Sequence, residues 1–141
     1  MEEPFMKIFT KDTDYAIRAL LLLSTDKENF LSAKNISKNL NIPYHFLRGV
    51  LGKLIQHGLI ESKEGVSGGV RITKNPDEIR LTHLIKIYQG DFELSDCMFR
   101  KKICPNRKAC VLREEIKRIE KIVEKEFEKL TIGKLLKKVI S

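Results

Sequence analysis

Three absences narrow what this chain of 141 residues can be. It has no apolar run near the ~18 residues that cross a bilayer. The run Ala19–Leu23 is short and lies inside a helical pattern, so no membrane role is expected. The N-terminus lacks the basic-then-apolar order of a secretory signal, and a cytoplasmic location is the expectation. The chain also lacks an even, dispersed set of cysteines. It has three, all between Cys97 and Cys110, which is not the pattern of a disulfide framework. In a reducing compartment such a cluster points to metal or redox chemistry. Finally, there is no Asp or Glu from Asn29 to Ile60, and none from Met98 to Leu112.

What is present fits those gaps. The composition, 42% hydrophobic and 33% charged, is that of a folded domain and not of a disordered one. The net charge is +8 and the isoelectric point about 9.4, which favours a polyanionic partner. The acid-free stretches carry that charge: Lys34, Lys38, Arg48 and Lys53 in the first, Arg100, Lys101, Lys102, Arg107 and Lys108 in the second. A solvated basic face is the plain alternative for either.

Along the chain, Met1–Thr10 reads as an arm. A helix over Asp12–Thr25 would bury Ala16, Ile17, Ala19, Leu20 and Leu23. Ser32 is a good N-cap for a short helix to Leu40. Asn41 and Ile42 form a turn, and Pro43 opens a third helix that runs to His57 and stops at Gly58. Leu59–Lys63 and Val70–Thr73 read as a hairpin around the glycine-rich segment Glu64–Gly69. Asn75–Asp77 is a turn, and Thr82 caps a helix to Gln89. Residues 91–110 read as an irregular loop. A long helix over Val111–Leu130 repeats Leu112, Ile116, Ile119, Val123, Phe127 and Leu130 as a coiled-coil-like seam. Thr131 caps a last helix, Ile132–Ile140.

The expected fold is therefore mainly α with a small β-hairpin: a winged helix-turn-helix followed by a long C-terminal dimerisation helix. Residues 1–90 form the DNA-binding domain, 91–110 the cysteine loop, and 111–141 the dimerisation helix and C-terminal helix. In such a fold the third helix enters the major groove of double-stranded DNA with its first turns at the base edges. That assigns Tyr44, His45, Arg48 and Lys53 to DNA. Tyr44 as core and His45 as plain surface are the alternatives. The hairpin tip would lie on the backbone or minor groove, which adds Lys63, Ser67, Gly68 and Arg71. Gly49 and Gly52 cost the third helix roughly 1 kcal/mol each, and a close approach by another helix or backbone would explain them. The same G-x-x-G spacing occurs in KH-domain loops, but here it lies in an apolar helical run.

Six residues separate Cys97 from Cys104, and five separate Cys104 from Cys110. Structural zinc sites favour closer pairs. Three thiolates on one loop suit an iron–sulfur cluster with one ligand position left over. The neighbouring cations would lower the thiol pKa values and offset a cluster's negative charge. Free cysteines and a thiol redox switch are the other readings.

Thr10–Leu20, Ile42–Leu47, Leu54–Leu59, Gly68–Ile72, the helix Leu81–Gly90, the three-cysteine loop and the long helix together resemble the Rrf2 family of bacterial repressors, from about Met6 onward. The resemblance implies a dimeric DNA-binding transcription regulator. In the cluster-binding members it implies three loop cysteines on a [4Fe-4S] or [2Fe-2S] cluster. The IscR type has a histidine three residues after the last cysteine; here that position is Arg113, which cannot bind iron. The nitric oxide-sensing NsrR type has an aspartate in a Thr-Asp-(Leu/Tyr) motif, supplied by the other subunit. Thr13, Asp14 and Tyr15 match it, so the resemblance assigns Asp14 as fourth ligand beside Cys97, Cys104 and Cys110. Its ordinary role would be an acidic residue in a helix's first turn. Asp12, Asp96 and His83 are weaker candidates. Two rival functions are a cluster-free regulator controlled by thiol oxidation or a partner protein, and a small redox or metal enzyme. The enzyme lacks support: no Ser/His/Asp grouping and no phosphate-binding glycine loop is visible, and the three histidines are scattered.

Overall fold

The computed structural model describes residues 8–94 and 111–140. Cys97, Cys104 and Cys110, with the basic residues between them, lie outside the described residues, as does most of the N-terminal arm.

Helix α1 (Lys11–Thr25) begins at Thr10, whose hydroxyl accepts from the Thr13 N–H. Ala16, Ala19, Leu20 and Leu23 fall on one face and are fully buried. Each such leucine contributes about 1.5–3 kcal/mol relative to exposure. That face makes α1 the hub: it packs on α2 (Ala33–Leu40), α3 (Tyr44–Gln56), α4 (Leu81–Gln89) and α6 (Ile132–Ile140). Ser32 caps α2 by accepting from Asn35 N at 3.1 Å. Asn41 ends α2 in the left-handed region at φ 56°, turning the chain into α3. Gly58, at φ 76°, follows α3.

Strands β1 (Ile60–Lys63) and β2 (Gly69–Ile72) pair antiparallel, with Ile60 opposite Ile72 and Lys63 opposite Gly69. This hairpin is the wing. It is joined to the segment before α2 by a bridge in which Leu31 and Val70 exchange N–H···O bonds of 2.8 Å. Gly69 is required there, since its φ is 142° and a Cβ would run into the Leu31 carbonyl.

A single 3-10 turn, Pro76–Glu78, precedes α4. The expected Thr82 cap is not found: α4 starts at Leu81 without a side-chain cap. Tertiary pairing supplies the partner instead. Leu81 N donates to Leu130 O at 3.1 Å, and Ile132 N donates to Ile79 O at 2.9 Å. Helix α5 (Val111–Glu128) buries no residue fully within this chain, and Val111, Leu112, Ile119 and Ile122 are exposed. Its C-terminal end packs inward through Phe127, which meets the rings of Phe9 and Phe92 at 5.5 and 5.8 Å between centroids. Thr131 caps α6 as expected, accepting from Lys134 N at 3.1 Å. Among the described residues no helix is long and apolar enough to cross a membrane.

Candidate nucleic-acid interface and metal ligands

Helix α3 divides cleanly. Leu47, Val50, Leu51 and Leu54 are buried on one side, while Tyr44, His45, Arg48 and Lys53 are exposed. Tyr44 is thus not core. Helical spacing puts His45, Gly49, Gly52 and Gln56 along the middle of the outward face, with Tyr44 and Arg48 on one flank and Phe46 and Lys53 on the other. The N-terminus of α3 has no side-chain cap, so the first-turn N–H groups are free to meet an anion.

Two of the exposed cations are oriented by aromatic rings. The Arg48 guanidinium carbon stands 5.9 Å from the Tyr44 ring centroid. Lys53 Nζ stands 5.6 Å from that of Tyr88, on α4. The Tyr88 hydroxyl donates to the Val50 carbonyl at 2.6 Å, fixing α3 on α4. Burial pushes the Tyr88 hydroxyl well above its ordinary pKa, so it stays a donor. Phe46 is 54% exposed, an apolar group on the outward side of α3 that its place in an apolar run does not reveal. The close approach expected to explain Gly49 and Gly52 is not found among the described residues: beyond the helix's own backbone, none of their atoms lies within 4 Å of a Cβ built at either.

In the wing, Lys63 and Ser67 are exposed and Gly68 is half-buried. A Cβ on Gly68 would collide with the Lys63 carbonyl, so the glycine is demanded by the turn itself. Lys63 and Arg71, read alike from sequence, are placed differently. Arg71 is ion-paired with Glu61 and donates to the Glu28 carbonyl at 3.1 Å. Lys63 has no carboxylate partner among the described residues. A cleft runs between the wing and the start of α2, lined by Phe30, Ser32, Asn35, Lys63, Ser67 and Gly68.

Of the expected metal ligands only Asp14 lies among the described residues. It sits in the first turn of α1, its side chain 44% exposed and paired with Arg18 at 3.0 Å. The neighbouring Thr13 is bonded to Gln89, the last residue of α4, which leads toward the cysteine loop. No group of three or more His, Cys, Asp and Glu residues able to hold a metal occurs among the described residues. His83 lies on α4, edge-on to His57 at 6.3 Å between centroids. Asp12 is exposed in the first turn of α1.

The family model described as "Rrf2: Iron-dependent Transcriptional regulator" matches residues 9–138. The HTH-type transcriptional regulator NsrR of Shouchella clausii is 35% identical over 74% of this chain and 71% of that protein. Among solved structures, CymR, the global cysteine regulator of B. subtilis, superposes with a TM-score of 0.76 at 22% identity, covering 94% of this chain and 98% of that one. IscR of T. potens superposes at 0.73 and 19% identity, covering 93% and 87%. At those identities the structures speak to the fold alone, and the fold is the winged helix expected from sequence. The family match spans nearly the whole chain, so the protein belongs to the Rrf2 family of transcriptional regulators and is not an enzyme.

Proposed function

We propose that this chain is a homodimeric DNA-binding repressor whose hold on its operator is set by an iron–sulfur cluster on Cys97, Cys104, Cys110 and Asp14. The observation that carries the DNA half is the outward side of α3. An uncapped helix N-terminus, Tyr44, His45 and Arg48 stand exposed together while the opposite side is core. The wing adds Lys63 and Ser67 over the flanking backbone. The dimer reading rests on α5, whose apolar residues Val111, Leu112, Ile119 and Ile122 are left exposed by the described residues.

The donor set fits a cluster. Three thiolates are soft ligands for iron, and the Asp14 carboxylate is free enough to serve as a fourth. An exposed i,i+4 pair such as Asp14–Arg18 is worth only about 0.3–0.5 kcal/mol, so a metal can displace it. A carboxylate holds iron less firmly than a thiolate, and the iron it holds would be the one open to nitric oxide or oxygen. The family description, with its iron dependence, and the NsrR likeness support this reading. Asp14 stands on the helix that forms the hub of the DNA-binding domain. Holding or releasing its carboxylate therefore bears on how two recognition helices are spaced in a dimer.

Anaerobic purification followed by absorption, iron and sulfide analysis and native mass measurement tests the cluster and the dimer together. A colourless, iron-free dimer that binds DNA and responds to thiol oxidation would replace the cluster reading with thiol control. For DNA, duplexes selected from a random pool should be bound with less base preference by Arg48→Ala. Unchanged affinity and preference would remove α3 from the groove.

A further inference from the structure

Phe30, between α1 and α2, carries two cations on its ring. The Arg71 guanidinium carbon lies 4.5 Å from the ring centroid and Lys63 Nζ lies 5.7 Å from it. In the antiparallel register Glu61 stands opposite Arg71, and Lys63 is two residues along the same strand. Strand alternation therefore puts Glu61, Lys63 and Arg71 on one face of the hairpin, the face turned toward Phe30. On that face the two cations have different lots. Arg71 is held by the ring, by the Glu61 carboxylate and by the Glu28 carbonyl. Its charge is offset by the Glu61 carboxylate, and its Nε and one terminal nitrogen are engaged within the chain. Among the described residues Lys63 has the ring and no carboxylate, and a ring orients an ammonium without neutralising it. Lys63 lines the cleft beside the start of α2, which Glu28 and Arg71 also border.

We propose that Phe30 is a positioning residue of the DNA interface, seating the wing through Arg71 and holding the Lys63 ammonium over the cleft to meet one backbone phosphate, while Arg71 makes no phosphate contact. The inference rests on the reading of α3 and the wing as the DNA-binding surface. It revises that reading at Arg71 and adds Phe30 to it.

The test is a fluorescence-anisotropy titration of the purified full chain against a short mixed-sequence DNA duplex at several salt concentrations, with a thermal melt of every variant. Lys63→Gln should lower the slope of log affinity against log salt by about one, the signature of one lost phosphate contact. Arg71→Gln should lower the melting temperature and leave that slope unchanged. In a Phe30→Leu background the Lys63→Gln step should shrink to less than half its logarithmic size, and Phe30→Tyr, which keeps the ring, should preserve it. A slope lowered by about one in Arg71→Gln, or a Lys63→Gln step undiminished by Phe30→Leu, would overturn the proposal. The Arg71→Gln arm decides the question without any change at Phe30, should Phe30→Leu fail to fold. If Lys63→Gln and Arg48→Ala both leave DNA affinity intact, the DNA-binding surface itself is misplaced. That failure is distinct from a wrong division of labour within it.

Discussion

The Thr13 hydroxyl donates to Gln89 Oε1 at 2.6 Å, joining the first turn of α1 to the last residue of α4 across 76 positions of sequence. The same oxygen accepts from Thr10 N at 2.9 Å, and Gln89 Nε2 donates to the Ile8 carbonyl at 2.9 Å. Thr13 is fully buried. One amide thus serves three groups at the start of α1, Thr13, Thr10 and Ile8.

Loss of that amide should cost more than loss of any one of its partners. Gln89→Ala takes the acceptor from both Thr10 N and the buried Thr13 hydroxyl, and about 1–3 kcal/mol is expected. Thr13→Val removes the hydroxyl's bonds to Gln89 and to Thr10 Oγ1 but leaves Gln89 still paired at both ends, so about 1 kcal/mol is expected. Urea unfolding midpoints measure both. A Thr13→Val cost equal to or above that of Gln89→Ala would mean that the junction is not organised by Gln89.

This junction also shows where sequence reading stops. The Ser32 cap, the stop at Gly58 and the apolar spacing in α1 and α3 are local signals, each decided within a turn or two of chain, and each was legible. Thr82 looked like a cap for the same local reason, but Leu130 supplies the partner through a contact 49 residues away that no local pattern carries. The Thr13–Gln89 bond is hidden in the same way. Lys63 and Arg71 look equivalent as flanking charges because what separates them, the Phe30 ring and the Glu28 carbonyl, comes from another part of the chain. For the candidate site, α3 and the wing were legible as elements, whereas the inward commitment of Arg71 was not.

Gly49 and Gly52 give a prediction in which two measurements move in opposite directions. Nothing lies within 4 Å of a Cβ at either position, and both are in regular helix. Gly49→Ala and Gly52→Ala should each stabilise the fold by up to about 1 kcal/mol. Both positions lie along the middle of the outward face, so a methyl group there would hold α3 away from the groove. DNA affinity should therefore fall as the melting temperature rises. Affinity that is unchanged or improved in both variants would place the DNA elsewhere on the helix.

His83 should make stability pH-dependent. Burial first, then Lys74, His57 and Lys86, hold its pKa below the ordinary 6.5. The unfolded chain therefore takes up the proton at a higher pH than the folded one does. In that window the unfolded state binds more protons, so stability falls as pH drops from about 6.5 toward the folded-state value, and is fully present above it. His83→Gln should flatten the loss between pH 7.5 and 5.5 in urea unfolding. Asp26 is held below 3.8, chiefly by its hydrogen bonds to Asn29, and does not contribute in that range. An equally steep loss in His83→Gln would assign the effect to another group.

Asp14 allows the ligand reading to be separated from a structural one. Its side chain is 44% exposed and, among the described residues, its carboxylate is bonded to Arg18 one turn on, so Asp14→Ala should change stability by no more than about 0.5 kcal/mol. If the three thiolates hold the cluster and the carboxylate completes it, anaerobically purified Asp14→Ala should retain iron and sulfide, with an altered visible spectrum and altered reactivity toward nitric oxide. Serine at Cys97, Cys104 or Cys110 should instead lose the iron, and chelation of iron from the unmodified protein should shift its DNA affinity. The dimer adds a further check: if Asp14 serves the partner's cysteines, mixing Asp14→Ala with Cys104→Ser chains should leave one complete site per heterodimer. An Asp14→Ala protein with an unchanged spectrum and unchanged nitric oxide reactivity would return this residue to its plain role at the start of α1.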